Sequence, residues 1–120
     1  VADYNALVGD IASEVNGFIG ASVVDLNSGM TLATRSARPD FDLEVASAYN
    51  SEMVKGKFRT VEALGLSSEL EDMLLTLSDQ LHLIKLINKE TFIYVAAEKS
   101  KTNLALLRTA VVLQFKKHGV

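Results

Sequence analysis

Apolar positions recur at helical spacing from the first residues of the chain: Tyr4, Leu7, Val8, Ile11 and Val15 fall on one stripe. The pattern predicts a helix over 4–15, opened by Asp3 as N-cap and stopped at Asn16-Gly17. The period then changes. Phe18 to Val24 is an almost unbroken apolar run, which reads as a buried strand. Asp25-Leu26-Asn27-Ser28-Gly29 is a turn cluster, and Met30 to Arg35 reads as a second strand. A long helix is expected from Phe41 to Leu64, capped by Asp40 or Asp42 and ended by Gly65. Three strand-like runs follow, 72–78, 81–87 and 91–98, joined by the short turns Asp79-Gln80 and Asn88-Lys89-Glu90. Turns that short imply an antiparallel meander. A last helix over 102–117 ends in Lys116-Lys117-His118, cations suited to a helix C-terminus.

The order is therefore α-β-β-α-β-β-β-α, an α/β sandwich in one domain over 1–120. The hairpin and the meander suggest a five-stranded antiparallel sheet of order 2-1-5-4-3, with the second and third strands at the rims. Arg35, Arg38 and Pro39 guard the first rim, whereas the third strand, "DMLLTLS", has no proline and no basic residue. An unguarded edge of that kind invites another strand.

On the middle helix, Leu43, Val54, Phe58 and Val61 form a stripe for the sheet. Ala46, Tyr49, Met53, Gly56, Thr60 and Ala63 form an adjoining stripe, and Glu44, Ser51, Glu52, Lys55, Arg59 and Glu62 the solvent side. The apolar arc is wider than one sheet face requires. Gly56 in mid-helix costs about 1 kcal/mol against alanine, which a close backbone approach would explain. The bland reading, that the second stripe packs under loops of the same chain, is set aside in favour of helix-on-helix association. Both features lie together if this helix crosses the sheet near the third strand.

Composition narrows the chemistry. The net charge of −3 argues against a general nucleic-acid binder, and the absence of cysteine excludes disulfides and thiolate metal sites. No apolar run reaches the about 20 residues of a membrane span, and no signal-peptide pattern opens the chain, so a cytoplasmic protein is expected. Gly17, Gly20 and Ser22 could belong to a phosphate-binding loop, but such glycines must lie between a strand and a helix N-terminus. Here they follow a helix and enter a strand, so the hairpin reading is taken, with Gly20 marking a close helix approach. His82 and His118 are isolated and read as structural, and Asp40 and Asp42 as caps rather than a carboxylate pair. No nucleophile, base and oxyanion donor assemble, so no enzyme, metal or cofactor is expected.

"GFIGASVVDLNSGMTLA", "EDMLLTLSDQLHLIKLI" and "TFIYVAAEKSKTNLALLRTAV" together resemble the Roadblock family, the dynein light chain roadblock and MglB-like proteins. The likeness covers almost the whole chain in order, through strand and turn patterns rather than catalytic signatures. It implies a profilin-like sandwich with the terminal helices on one face and the middle helix on the other. It implies dimers built through the third strand and the middle helix, and a non-catalytic role beside Ras-like GTPases or in dynein cargo adaptors.

The sequence thus leads to a homodimeric interaction module that regulates or scaffolds a small Ras-like GTPase. Its dimer interface is expected at Ala46, Tyr49, Met53, Gly56, Thr60, Met73, Leu75 and Leu77, and its partner surface at Glu52, Lys55 and Arg59. Two alternatives stand beside it: a small-molecule sensor, which would need a pocket with convergent polar groups, and a dynein-type light chain adaptor.

Overall fold

Polar caps fix where each helix begins. The computed structural model describes residues 2–120. Asp3 accepts from the Ala6 N–H at 3.1 Å and opens α1, Tyr4–Glu14. Asp42, the second of the two candidate caps, accepts from the Val45 N–H at 3.0 Å and opens α2, Leu43–Ala63. Asn103 does the same for Leu106 at 2.9 Å and opens α3, Leu104–His118. A side-chain cap of this kind is worth about 1 kcal/mol because it satisfies an otherwise orphaned backbone donor.

The strands are β1 (Phe18–Asp25), β2 (Thr31–Ser36), β3 (Asp72–Thr76), β4 (Gln80–Leu86) and β5 (Thr91–Glu98). They form one antiparallel sheet of order β2-β1-β5-β4-β3, the order the sequence suggests. The central strands β1 and β5 are buried on both faces, which explains their continuous apolar runs. On one face Leu7, Val8 and Ile11 of α1 and Leu107, Val111 and Phe115 of α3 pack against Ala21, Val23, Leu83 and Val95. On the other, Leu43 and Val54 of α2 pack against Ile19, Val24, Ile84, Phe92 and Tyr94. Each fully buried Leu, Ile, Val or Phe contributes about 1.5–3 kcal/mol.

The opening glycine stretch is a hairpin. Gly29 holds φ +74° in its turn, a conformation that a side chain would strain. At Gly20 a Cβ would sit 3.3 Å from a Leu43 methyl, so the missing side chain admits the first turn of α2. β2 contains a bulge the sequence did not announce: Val23 pairs with Ala33 but Val24 with Thr31, leaving Leu32 as the extra residue. A bulge on an edge strand disrupts a template for further pairing, so this rim is guarded by geometry as well as by charge.

One expectation for α2 is overturned. Ser51, assigned to the solvent side, is 1% exposed. The β1–β2 turn approaches α2 closely at Gly29, where an added Cβ would stand 3.5 Å from the Ala48 Cα and 3.6 Å from Ser51 Oγ. Small side chains are what that approach requires. Ser51 donates to the Ser47 carbonyl at 2.8 Å, and Ser47 exchanges a buried 3.0 Å hydrogen bond with Ser22 of β1. A helical wheel weighted by hydrophobicity cannot see a buried serine whose hydroxyl is satisfied locally.

Candidate interaction surface

β3 is a rim of the sheet. It pairs with β4 on one side, and no strand pairs with its other side among the described residues. Its faces alternate: Met73 and Leu75 stand opposite Ile84 and His82 and pack toward the α2 core, while Leu74 stands opposite Leu83 and packs toward α1 and α3. Leu77, just beyond the strand, is 44% exposed. The start of β3 is held from the α3 side, where Arg108 grips the Asp72 carboxylate at 2.8 and 2.9 Å. Asp72 and the Glu71 charge together hold the Arg108 guanidinium above its ordinary value.

The second stripe of α2 lies partly on this same side. Ala46 and Met53 are half-buried and pack on the core that also receives Met73 and Leu75. The structure thus brings these four expected interface residues onto one apolar cluster. Tyr49 is 75% exposed, and Thr60 is exposed with its hydroxyl donating to the Gly56 carbonyl at 3.0 Å. Gly56 has only the Arg59 guanidinium near it, at 3.6 Å from where a Cβ would be. Among the described residues, the close backbone approach that a mid-helix glycine suggests is not made.

Glu52 and Arg59 are exposed on the outer side of α2. Lys55 is only partly so. Its Nζ reaches back to the Asn27 carbonyl at 3.4 Å and to Glu52 at 3.6 Å, which ties α2 to the hairpin turn. In that turn the Ser28 hydroxyl and N–H both donate to Asp25 and hold its carboxyl below the usual range. The three expected partner residues therefore form a mixed-charge ridge.

His82 lies in an aromatic nest. Its ring meets Tyr94 edge-on with centroids 5.2 Å apart, and Phe41 stacks against Tyr94 at 6.5 Å. Burial lowers the His82 pKa against a smaller opposing pull from Asp79, and burial raises that of the Tyr94 phenol. His118 contacts Asp10 at 2.7 Å and ties α3 to α1. Among the described residues no group of three His, Cys, Asp or Glu side chains could hold a metal ion, and no helix is long and apolar enough to cross a membrane.

Sequence reasoning missed a groove of about 660 Å³ between the C-terminal half of α2, the loop to β3 and the end of β4. Phe58, Val61, Leu66, Leu70 and Leu86 line it, and Glu62, Glu69 and Lys89 stand exposed at its rim. Leu66 and Leu70 come from a loop with no periodicity, so no pattern connects them to the helix. The Arg108–Asp72 and His118–Asp10 contacts are equally invisible, joining residues 36 and 108 positions apart.

No family profile matches the chain, and no curated protein matches it. Solved structures do. A Roadblock/LC7 domain from Streptomyces avermitilis superposes with a TM-score of 0.82 at 16% identity, covering 97% of this chain and 94% of that one. Myxococcus xanthus MglB gives 0.82 at 12% identity, covering 94% and 89%, and Myxococcus xanthus MglC gives 0.62 at 16%, covering 95% and 94%. At such identities the agreement lies in element order, strand order and layer placement rather than in side chains. The chain has the fold of the Roadblock/LC7 domains.

Proposed function

We propose that this chain is a non-catalytic homodimeric module that regulates or scaffolds a Ras-like small GTPase in the cytoplasm. The observation that carries the reading is an apolar strand edge, β3, left unpaired among the described residues, whose Met73 and Leu75 share a core with Ala46 and Met53 of α2. Adding a strand to β3 and a helix against Gly56 would cover both at once, and a two-fold axis does this with one surface. A stable dimer of this kind buries on the order of 1,200–2,000 Å² in total. The GTPase half of the reading follows the resemblance to Roadblock proteins, and the fold shared with MglB supports it. The ridge of Glu52, Lys55 and Arg59 is then the docking surface.

The test has two arms. Multi-angle light scattering at micromolar concentration should return twice the chain mass, and a monomer there removes the dimer. Immobilised protein should retain a Ras-like GTPase, with a preference between nucleotide states for a regulator and none for a scaffold, and absent retention across a panel removes the GTPase.

A second reading, the small-molecule sensor, rests on the groove beside Phe58 and Leu70. Its polar groups stand at the rim rather than converging inside, so it ranks below the interaction module. A metabolite that co-purifies reproducibly and is lost in Leu70→Glu would favour it.

A further inference from the structure

The sheet-facing stripe of α2 outruns its cover. Leu43 and Val54 are buried, but Phe58 and Val61, further along the same stripe, are only half-buried. The helix stops at Gly65, which at φ +67° turns the chain back. Across that turn the Leu66 N–H donates to the Val61 carbonyl at 3.1 Å and the Gly65 N–H to the Glu62 carbonyl at 2.9 Å. This Schellman closure folds Leu66 back beside the helix end. Phe58, Val61 and Leu66 therefore line the groove of about 660 Å³ together, and Leu70 and Leu86 complete its apolar surface. At about 100° per residue, Phe58 and Val61 stand across the helix from Gly56, so the groove is separate from the stripe offered for dimerisation.

Charge says what fits it. Glu62 and Glu69 are exposed in its lining and form no ion pair among the described residues. Glu71 adds a third carboxylate, whose charge also reaches Arg108. Lys85 and Lys89 belong to the lining too, but Lys85 turns its ammonium onto the Phe115 ring, 5.5 Å from the centroid, in the layer of α1 and α3. Among the described residues that leaves Lys89 as the one cation at the rim, against three carboxylates. The whole chain is negative as well, at −3. A second copy of this groove would set carboxylates against carboxylates, and an acidic segment would be repelled, whereas a basic segment meets complementary charge.

We propose that this groove is a docking site for a short basic segment of another protein. Large apolar side chains of that segment cover Phe58, Leu66 and Leu70, and its lysines or arginines pair with Glu62 and Glu69. The groove also underlies the sensor reading, but charges at the rim suit a chain that crosses the rim better than a small molecule enclosed within it. The site stands whether or not the protein dimerises.

Three labelled peptides of equal length test it. One carries leucines flanked by lysines, one the same leucines flanked by glutamates, and one the lysines with serines in place of the leucines. Anisotropy titration against the full chain should show the first binding at least about tenfold tighter than either of the others. Leu66→Ser should weaken that binding about tenfold, since it removes apolar contact without adding charge. The double variant Glu62→Lys with Glu69→Lys should reverse the preference between the lysine and glutamate peptides, and Tyr49→Asp should change nothing. All three groove positions are exposed, and circular dichroism checks that the variants remain folded. The proposal is overturned by absence of binding, by equal binding of the glutamate peptide, or by a preference that survives the charge reversal. Equal binding of the serine peptide, or binding that survives Leu66→Ser, would reduce the effect to net charge and overturn it too. Loss of binding in Tyr49→Asp would move the peptide to the dimer surface. An assembly larger than a dimer that Leu66→Ser dissolves would give the groove to a second copy, and a co-purifying metabolite that blocks the lysine peptide would give it to a small molecule; either result sinks the proposal.

Discussion

Arg108 holds Asp72 by two parallel hydrogen bonds, Nε to Oδ2 at 2.9 Å and Nη2 to Oδ1 at 2.8 Å. This fork joins the middle of α3 to the first residue of the rim strand β3. A rim strand paired on one side has fewer restraints than a central one, so a bidentate clamp at its end limits fraying. Arg108→Met should speed amide exchange in β3 while leaving β1 and β5 unchanged. Arg108→Lys should fall between, since an ammonium keeps the charge and loses the fork. Equal exchange in β3 of all three proteins would show that the clamp is dispensable.

The buried Ser22–Ser47 pair gives a sharper test of packing between β1 and α2. Both residues are 0% exposed and their hydroxyls lie 3.0 Å apart. Ser22→Ala strands the Ser47 hydroxyl in an apolar layer, at a cost of about 1–3 kcal/mol. The double variant with Ser47→Ala removes both groups, so its loss should be smaller than the sum of the singles. Denaturant unfolding of the four proteins closes the cycle, and strict additivity would mean the two hydroxyls do not depend on each other.

These two contacts differ in how far sequence could reveal them. Element order, strand order and the caps at Asp3 and Asp42 are local signals, carried by periodicity and by residues within a turn of each boundary. Gly20 was legible for the same reason: a glycine inside an apolar strand has few uses other than close approach. Ser51 was not, because its burial depends on where the Gly29 turn comes to rest against α2. The interface candidates show the same division. A stripe at helical spacing identifies Ala46, Tyr49 and Met53 together, but only the packed chain separates half-buried Met53 from exposed Tyr49. The bulge at Leu32 depends on pairing register, which no single strand encodes.

His82 should make stability depend on pH above the range where carboxylates titrate. Burial lowers its folded pKa below the ordinary 6.5 of the unfolded chain. The unfolded state then takes up the proton first, so stability is complete above about pH 6.5 and declines as pH falls through it. The charges and polar groups around the ring are Asp79, which opposes the shift, with Gln80 and Tyr94 as hydrogen-bond partners. Asp10, Asp25 and Glu98 are held below their ordinary values, at most 4.5, so their contributions fade only in more acid solution. Thermal melts at pH 7.5 and 5.5 should show a loss in the wild type that is smaller in His82→Gln. Identical losses in the two proteins would assign the dependence to other groups.

Tyr49 is the residue on which the dimer can be tested without disturbing the fold. It is 75% exposed, whereas Met53 packs partly on the core shared with Met73 and Leu75. A carboxylate at Met53 would strike the core and the interface together, and its effects could not be separated. At Tyr49 a carboxylate remains in water in the monomer, so the isolated chain should lose almost nothing. In a helix-paired dimer the same group must be desolvated or must push the helices apart, at a cost of several kcal/mol. Tyr49→Asp should therefore give folded monomers at concentrations where the wild type is a dimer. Light scattering reads the mass, and far-ultraviolet circular dichroism with thermal melting reads the fold. A Tyr49→Asp protein that keeps the dimer mass would exclude this flank of α2 from the interface. The β3 edge would then have to carry the association alone, and Leu77, exposed just beyond the strand, would become the residue to change.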